Sequence, residues 1–405
     1  MKILFLLTQD LESPSGLGRY APMARELSRL GHQVRVAALH SNYEELGTKS
    51  YTQDAVYINY VAPMHVRKRG SLKTYYSPLR LAGIAGRATW ALGGAAMRSG
   101  ADIIHIGKPH PMNSLAGVAG KILQGRRLIL DCDDYEAGVG HFRSAWEKRG
   151  VVYFEDRMPL HVDQVTTNTY FTRQRLEDLG VPAGKITYIS NGVDRSRFGP
   201  AESTALLDLR EQLGIQNRRV VTFVGSLSRP GHPVELLFAA FQSIIQQIPE
   251  SILLIVGGGD DFERLQAQAD EMGIRQSVIF TGRVPPHLVS LYYHLADVSV
   301  DPVQDDGAAR GRSPLKLFES WACGAPFVSC DAGDRRILLG DPPAGLLARP
   351  GDPASLAVEI GKVLSDAGLA MTLRQRGLER VEDFYWDVLV KDLEQVYQRA
   401  MGAGA

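Results

Sequence analysis

Cysteine is scarce in this chain of 405 residues. The three thiols, Cys132, Cys323 and Cys330, make neither a disulfide framework nor a metal-ligand spacing. That scarcity suits a reducing, cytoplasmic setting. An excess of one charge is missing as well: 45 lysines and arginines balance 45 acids, so nothing global draws the chain to nucleic acid. No apolar run reaches the roughly 18–20 residues of a transmembrane helix. Ala82–Met97 comes nearest and is broken by Arg87. Met1–Thr8 has neither a signal-peptide h-region nor a small-residue cleavage site, and reads as a first strand. What remains is an ordinary globular composition, 44% apolar and 22% charged, long enough for two or three domains.

KILFLLTQ is a near-continuous apolar run of the kind that parallel strands covered on both faces show. The Gly/Ser-rich loop LESPSGLGRY follows, then a helix to Leu30 and a second strand, GHQVRVAAL. Gly16-x-Gly18-x-x-Ala21 imitates a dinucleotide fingerprint. However, the glycines come late after the strand, and the second strand ends in Ala38-Leu39-His40 without an acid for a ribose. A flexible glycine loop that brings backbone close to a ligand fits better than NAD binding; a plain βα connection is the alternative. Strand–helix alternation continues to KITYISNGVD. Phe198–Glu211 reads as a linker, and the alternation restarts at RRVVTFVGSLS and runs to a last helix near Pro353–Leu364. This predicts α/β architecture: two Rossmann-like parallel-sheet domains, 1–197 and 198–384, with a ligand cleft between them.

Three stretches carry chemistry. In RGRSPLKLFESWACGAPFV, Arg310, Arg312, Ser313 and Lys316 converge on a predicted helix N-terminus at Leu315, an arrangement that attracts an anion. Glu319 lies one turn inside, placed to accept hydroxyl hydrogens from a sugar; phosphate plus diol suggests a nucleotide. The bland reading is a capped surface helix with Glu319 in water. RRLILDCDDYEAG runs from a buried strand into Asp131, Asp133, Asp134 and Glu136, and Lys108 and His110 follow the preceding strand. Carboxylates at a strand's C-terminal end stand where open α/β sheets bind ligands, although caps and salt bridges use the same residues. Residues 61–100 hold seven cations, no acid, and Tyr75, Tyr76 and Trp90, which fits either peripheral contact with anionic lipid at the inner membrane face or a solvated helix face.

In this order and spacing, the motifs SGLGRY, GHQVRV, ISNGVD, FVGSLS, LLIVGGGDDFERL, VIFTGRV, LADVSVDPV and KLFESWACGAPFV resemble the retaining glycosyltransferases of family 4, with the GT-B fold, over nearly the whole chain. The closing FYWDVLVKDLEQVY resembles that family's terminal helix, which would bring residues 385–405 back onto the N-terminal domain. The resemblance implies a metal-independent enzyme without a cofactor. It would move a sugar from a nucleotide-diphosphate donor on the C-terminal domain to a sugar, lipid-linked or small-molecule acceptor hydroxyl on the N-terminal one. Glu319 then matches the glutamate on the donor ribose, Gly282–Val284 with Arg283 the turn that reads the base, and Gly16 and Gly18 the loop near the diphosphate. There are departures. The family's diphosphate-binding arginine and lysine are Ser226 and Gly231 here, its first paired glutamate falls at Gly311, and its His-Asp appears as Asp133-Asp134. Charge-assisted contacts are worth about 1.5–3 kcal/mol each, so two lost cations need replacement. Arg229, Arg310, Arg312 and Lys316 are the expected substitutes, while Asp133, Asp134, Lys108 and His110 would orient hydroxyls. A sugar-nucleotide-binding protein that has lost catalysis is the alternative.

Overall fold

The computed structural model describes residues 1–402 apart from 70–71, 141, 143 and 229–232. The chain divides into two units. One comprises Met1–Gly192, Gly311–Ser313 and Trp386–Ala405, the other Val193–Arg310 and Pro314–Tyr385.

The first unit contains β1 Lys2–Leu7, β2 Gln33–His40, β3 Ser50–Gln53, β4 Val56–Pro63, β5 Val66–Arg69, β6 Leu72–Tyr75, β7 Ile103–Gly107, β8 Arg127–Cys132, β9 Gln164–Thr167 and β10 Ile186–Tyr188. Its sheet has the order β10-β9-β8-β7-β1-β2-β4-β3, parallel except for β3, and β5–β6 form a separate antiparallel hairpin. Period-two alternation sends Ile3, Phe5 and Leu7 to one face and Leu4 and Leu6 to the other, and both faces are covered. The first face meets the helix Ala21–Arg29 and the C-terminal helix Trp386–Met401 through Trp386, Leu393 and Tyr397. The second face meets the helices Pro78–Arg98 and Pro111–Gln124.

The second unit contains β11 Arg219–Val224, β12 Ser251–Val256, β13 Val278–Gly282, β14 Val298–Asp301, β15 Phe327–Cys330 and β16 Leu346–Ala348, all parallel, in the order β13-β12-β11-β14-β15-β16. In each sheet the chain leaves its first strand in one direction and later returns on that strand's other side. Strand order therefore reverses between β1 and β7, and again between β11 and β14. Such reversals open a crevice at the strands' C-terminal ends, where α/β sheets take ligands.

Three expectations need correction. The presumed linker Phe198–Glu211 is mostly the helix Ser203–Gln212, whose Leu206 and Leu209 pack on Ile215 and Tyr292; only the residues up to Glu202 connect. SGLGRY is not a loose loop. Gly16–Tyr20 is a wide helical turn running straight into the next helix, and a Cβ on Gly16 would stand 2.3 Å from the Asp10 carbonyl oxygen. The last helix of the second sheet, Pro353–Ser365, is followed by another, Ala367–Arg380. The cysteines are buried free thiols.

Candidate active site

In the first unit, the chain leaving β7 turns sharply. Lys108 has φ +69°, a left-handed conformation that costs a non-glycine residue about 1–3 kcal/mol. Asn113 fixes the turn, its amide donating to the carbonyls of Leu6, Gly107 and Lys108 at 3.1, 2.7 and 3.1 Å. The Lys108 ammonium thereby reaches Asp134 Oδ2 and Glu136 Oε1, each at 2.6 Å, and lies 3.2 Å from Asp133 Oδ1. His110 bridges Glu136 Oε2 at 3.0 Å and Thr8 Oγ1 at 2.8 Å. These residues follow β1, β7 and β8 and gather at the first point of strand reversal. Burial alone would lower the Lys108 pKa, but the three carboxylates hold it well above the ordinary lysine value.

The four acids at the end of β8 and just after it therefore split. Asp131 is structural: fully buried, it receives Arg19 Nε and Nη2 at 2.7 and 2.8 Å, and against the effect of burial that arginine holds its pKa down at about 2. Burial pushes the Asp133 carboxyl up to about 7, with Asp134 adding to the shift and Lys108 opposing it. Its Oδ1 accepts no hydrogen bond among the described residues. Asp133, Asp134 and Glu136 offer three oxygens within 4.8 Å of one another, enough ligands for a divalent cation. The Lys108 ammonium is already placed among them. Lys108 donates to the Asp134 and Glu136 carboxylates; three acids left together without a cation would cost far more than one strained turn.

Glu155 is a residue the sequence did not disclose. From the helix Ala145–His161 its carboxylate accepts the backbone N–H groups of Glu136 and Ala137 at 2.9 and 3.1 Å, and burial lifts its pKa to about 7. It fixes the turn that carries the acids. No local pattern announces such a long-range cap.

The second unit places Lys316 and Glu319 on the helix Leu315–Ala322, at the reversal between β11 and β14. Lys316 is buried. Its Nζ lies 3.1 Å from Asp301 Oδ1, at the end of β14, and 5.1 Å from the centre of the Phe223 ring. A Cβ on Gly225, just after β11, would stand 3.0 Å from Lys316 Cε, so glycine there leaves the lysine its path. Glu319 is half-buried; Tyr293 donates its hydroxyl to Oε2 at 2.8 Å, and burial raises the carboxyl pKa. Ser226, next to Gly225, lies 3.4 Å from the Ser228 hydroxyl.

The other expected donor residues are more scattered. Arg310 is exposed and bidentate to Asp305 at 2.6 and 2.7 Å. Arg312 and Ser313 belong to the first unit, where the Ser313 hydroxyl accepts the Asn191 N–H at 3.2 Å. Arg283 is exposed in the turn after β13, and the Gly282 carbonyl accepts the Gly257 N–H at 3.0 Å. Gly18 accepts the Trp386 indole N–H at 2.8 Å, which makes it a packing point for the C-terminal helix. Leu315 opens its helix. Arg229 lies outside the described residues. Lys316 stands at the strand reversal, next to Asp301 at the end of β14.

Two family models match the chain: "Glycosyl transferase 4-like domain" over residues 15–192 and "Glycosyl transferases group 1" over residues 218–366, together most of its length. A relative from Mycolicibacterium smegmatis, GDP-mannose-dependent alpha-(1-6)-phosphatidylinositol monomannoside mannosyltransferase, is 26% identical over 68% of this chain and 70% of its own. A D-inositol 3-phosphate glycosyltransferase from Acidothermus cellulolyticus is 31% identical over 59% of this chain; the match spans only about half of that relative, 54%. Among solved structures, sucrose-phosphate synthase from Thermosynechococcus elongatus is similar over 100% of both chains, with a TM-score of 0.78 and 20% identity. Anabaena Alr3699/HepE in complex with UDP-glucose is similar over 98% of this chain and 100% of its own, with a TM-score of 0.73 and 20% identity. Sequence models over both units and the shared architecture of the solved structures agree: the chain belongs to the family 4 glycosyltransferases and has the GT-B fold.

Proposed function

We propose that the protein transfers a sugar, with retention and without a metal ion, from a nucleotide-diphosphate sugar to an acceptor hydroxyl. The observation that carries this reading is the pair Lys316 and Glu319, one turn apart at the β11–β14 reversal: a buried ammonium for the diphosphate and a carboxylate for the ribose diol. Charge builds on the leaving phosphate as the glycosidic bond breaks, so a fixed cation there lowers the barrier without reorganising. In the first unit, Asp133 presents a carboxyl whose pKa burial raises and an oxygen with no hydrogen bond among the described residues, suited to an acceptor or sugar hydroxyl. Lys108 supplies the positive charge that a metal would otherwise bring to Asp134 and Glu136.

The relatives' printed names make GDP-mannose and UDP-glucose the first donors to try and an inositol-type acceptor the first alcohol. Peripheral membrane contact belongs to the same proposal. Leu79 and Trp90 on the helix Pro78–Arg98 are 90% and 81% exposed, beside the cations of residues 61–100. Some of those cations are already paired, Arg67 with Glu45 and Arg87 with Glu44, which weakens the electrostatic share. No described helix is long and apolar enough to cross a membrane.

Donor hydrolysis in EDTA tests the reading, with the freed sugar followed by proton NMR before its anomers equilibrate. An α-linked donor should release the α sugar first. Release of the β sugar would refute retention, and turnover that depends on an added divalent cation would refute metal independence.

A further inference from the structure

Three helices, Pro78–Arg98, Pro111–Gln124 and Ala145–His161, cover the second face of the first sheet, and Pro111–Gln124 packs against both others. Their inner sides fill the core with Ala88, Leu92, Met112, Ala116 and Met158. A surface helix normally turns charged and polar residues to water. Here the outer side of Pro111–Gln124 shows Leu115, Ile122 and Leu123, with Ile122 74% exposed. Ala145–His161 shows Trp146 and a 61% exposed Tyr153, and Pro78–Arg98 shows Leu79 and Trp90. Nearly half of the large apolar side chains that the described structure exposes are on these three helices.

The exposed charges on that side have one sign. Arg80, Arg98, Lys148, Arg149 and Arg157 are exposed, and so is Arg87, although Glu44 pairs it. The three helices carry three acids, all on Ala145–His161, and none is exposed. Glu155 is buried and caps the acid turn, Glu147 is partly buried, and so is Asp156, which pairs with Arg175. Lys148, Arg149 and Arg157 form no ion pair among the described residues, and with Tyr153 they line one open groove along the helix. Trp146, Arg149, Tyr153 and Arg157 recur at helical spacing and share one exposed stripe. On the opposite side of the sheet the C-terminal helix exposes Asp387 and Asp392 beside Lys391 and Arg399. The balanced net charge of the chain therefore hides a segregated one.

We propose that this three-helix face is the surface by which the protein lies on anionic lipid, with Pro111–Gln124 and Ala145–His161 sharing the contact with Pro78–Arg98. This rests on the peripheral membrane contact proposed above and extends it beyond residues 61–100. Tryptophan and tyrosine suit the depth of the headgroups, aliphatic side chains go below them, and cations stay among the phosphates. A second copy of the chain fits less well, because a two-fold interface would set these cations against the same cations. Pro111 directly follows His110, and the helix that carries the exposed stripe also carries the Glu155 cap on its inner side. The face thus begins beside the acid cluster, a position that suits a lipid-borne acceptor.

The chain supplies its own probes. Of its four tryptophans, Trp321 and Trp386 are buried, whereas Trp90 and Trp146 are exposed on two different helices of the face. The full chain is mixed with phosphatidylcholine vesicles containing one quarter phosphatidylglycerol, with and without bromine on the acyl chains, which quenches tryptophan on contact. Trp90→Phe and Trp146→Phe should each still be quenched, since the remaining exposed tryptophan is also in lipid. Quenching in Trp146→Phe with none in Trp90→Phe would confine the contact to Pro78–Arg98 and overturn the proposal. Lys148→Gln, Arg149→Gln and Arg157→Gln combined should weaken vesicle binding about a hundredfold in co-sedimentation, at roughly fivefold per cation near an anionic surface. Unchanged binding would also overturn it. Lipid-free dimerisation in analytical ultracentrifugation that Ile122→Ser abolishes would give the face to a second copy instead. Failure of the wild type to bind these vesicles at all would remove the membrane reading itself and leave the donor chemistry untouched.

Discussion

Glu319 and Asp133 are both carboxyls raised by burial, yet they call for different tests. Glu319 keeps one strong partner, the Tyr293 hydroxyl, and has room to accept more hydrogen bonds. Hydrogen bonds to a charged group contribute about 1.5–3 kcal/mol, so Glu319→Gln should weaken nucleoside diphosphate binding roughly ten- to hundredfold in titration calorimetry. The corresponding deoxynucleotide, which lacks the hydroxyl, should lose much less. Asp133 gives a pH signature. Its folded pKa is about 7 against an ordinary 3.8, so between those values the native state binds a proton that the unfolded chain does not. Stability should therefore fall as pH rises from about 4 to 7, and Glu155, also near 7, adds the same sign. Asp133→Asn should flatten part of that slope in urea unfolding followed across the window. An unchanged slope would mean that Asp133 is ionised throughout.

Close backbone contacts give the elements their own vulnerable points. Gly257, at the end of β12, has φ +141°, and a Cβ there would lie 1.9 Å from the Gly225 carbonyl oxygen. Backbone cannot yield as a flexible side chain does. Gly257→Ala should thus cost at least about 2 kcal/mol in chemical unfolding and loosen the turn beside Lys316. The strands around that turn were legible in the sequence, because RRVVTFV and SILLIV are apolar on both faces and only a covered parallel sheet accepts that. The helix Leu315–Ala322 was legible too, from its apolar face and the Gly324–Pro326 stop. The helix Ala145–His161 was not; Gly150 and Pro159 interrupt it and its apolar residues keep no single face. The site was read in part for the same reason. Acids at the end of β8 are a local signal, but the placement of Lys108 among them depends on a left-handed turn, and Arg335 reaches Asp301 from another helix. Applied consistently, the signal that found Asp133 would also have found Asp301, an acid ending the apolar strand Val298–Asp301. Lys108→Met should expose the carboxylate trio. It should either unfold the first unit, since removing one partner of a buried ion pair costs about 3–5 kcal/mol, or bind manganese, which wild type should not.

Taken whole, the molecule pairs two sheets that each reverse strand order once, with the charged groups of interest at both reversals. The exposed Leu79 and Trp90 predict co-sedimentation with vesicles containing anionic lipid, reduced severalfold by replacing both with serine. A salt-sensitive part of the binding is expected from the basic stretch. The most direct measurement of the central claim is a thermal-shift titration in EDTA with UDP, GDP and ADP, on wild type and Lys316→Gln. A diphosphate at a hundredfold over its dissociation constant adds about 2.7 kcal/mol, a rise of roughly 5–10 °C for domains of this size. The account predicts that rise with one of the three on wild type, without metal, and its loss in Lys316→Gln. No shift with any of them, or an undiminished shift in the variant, would contradict it.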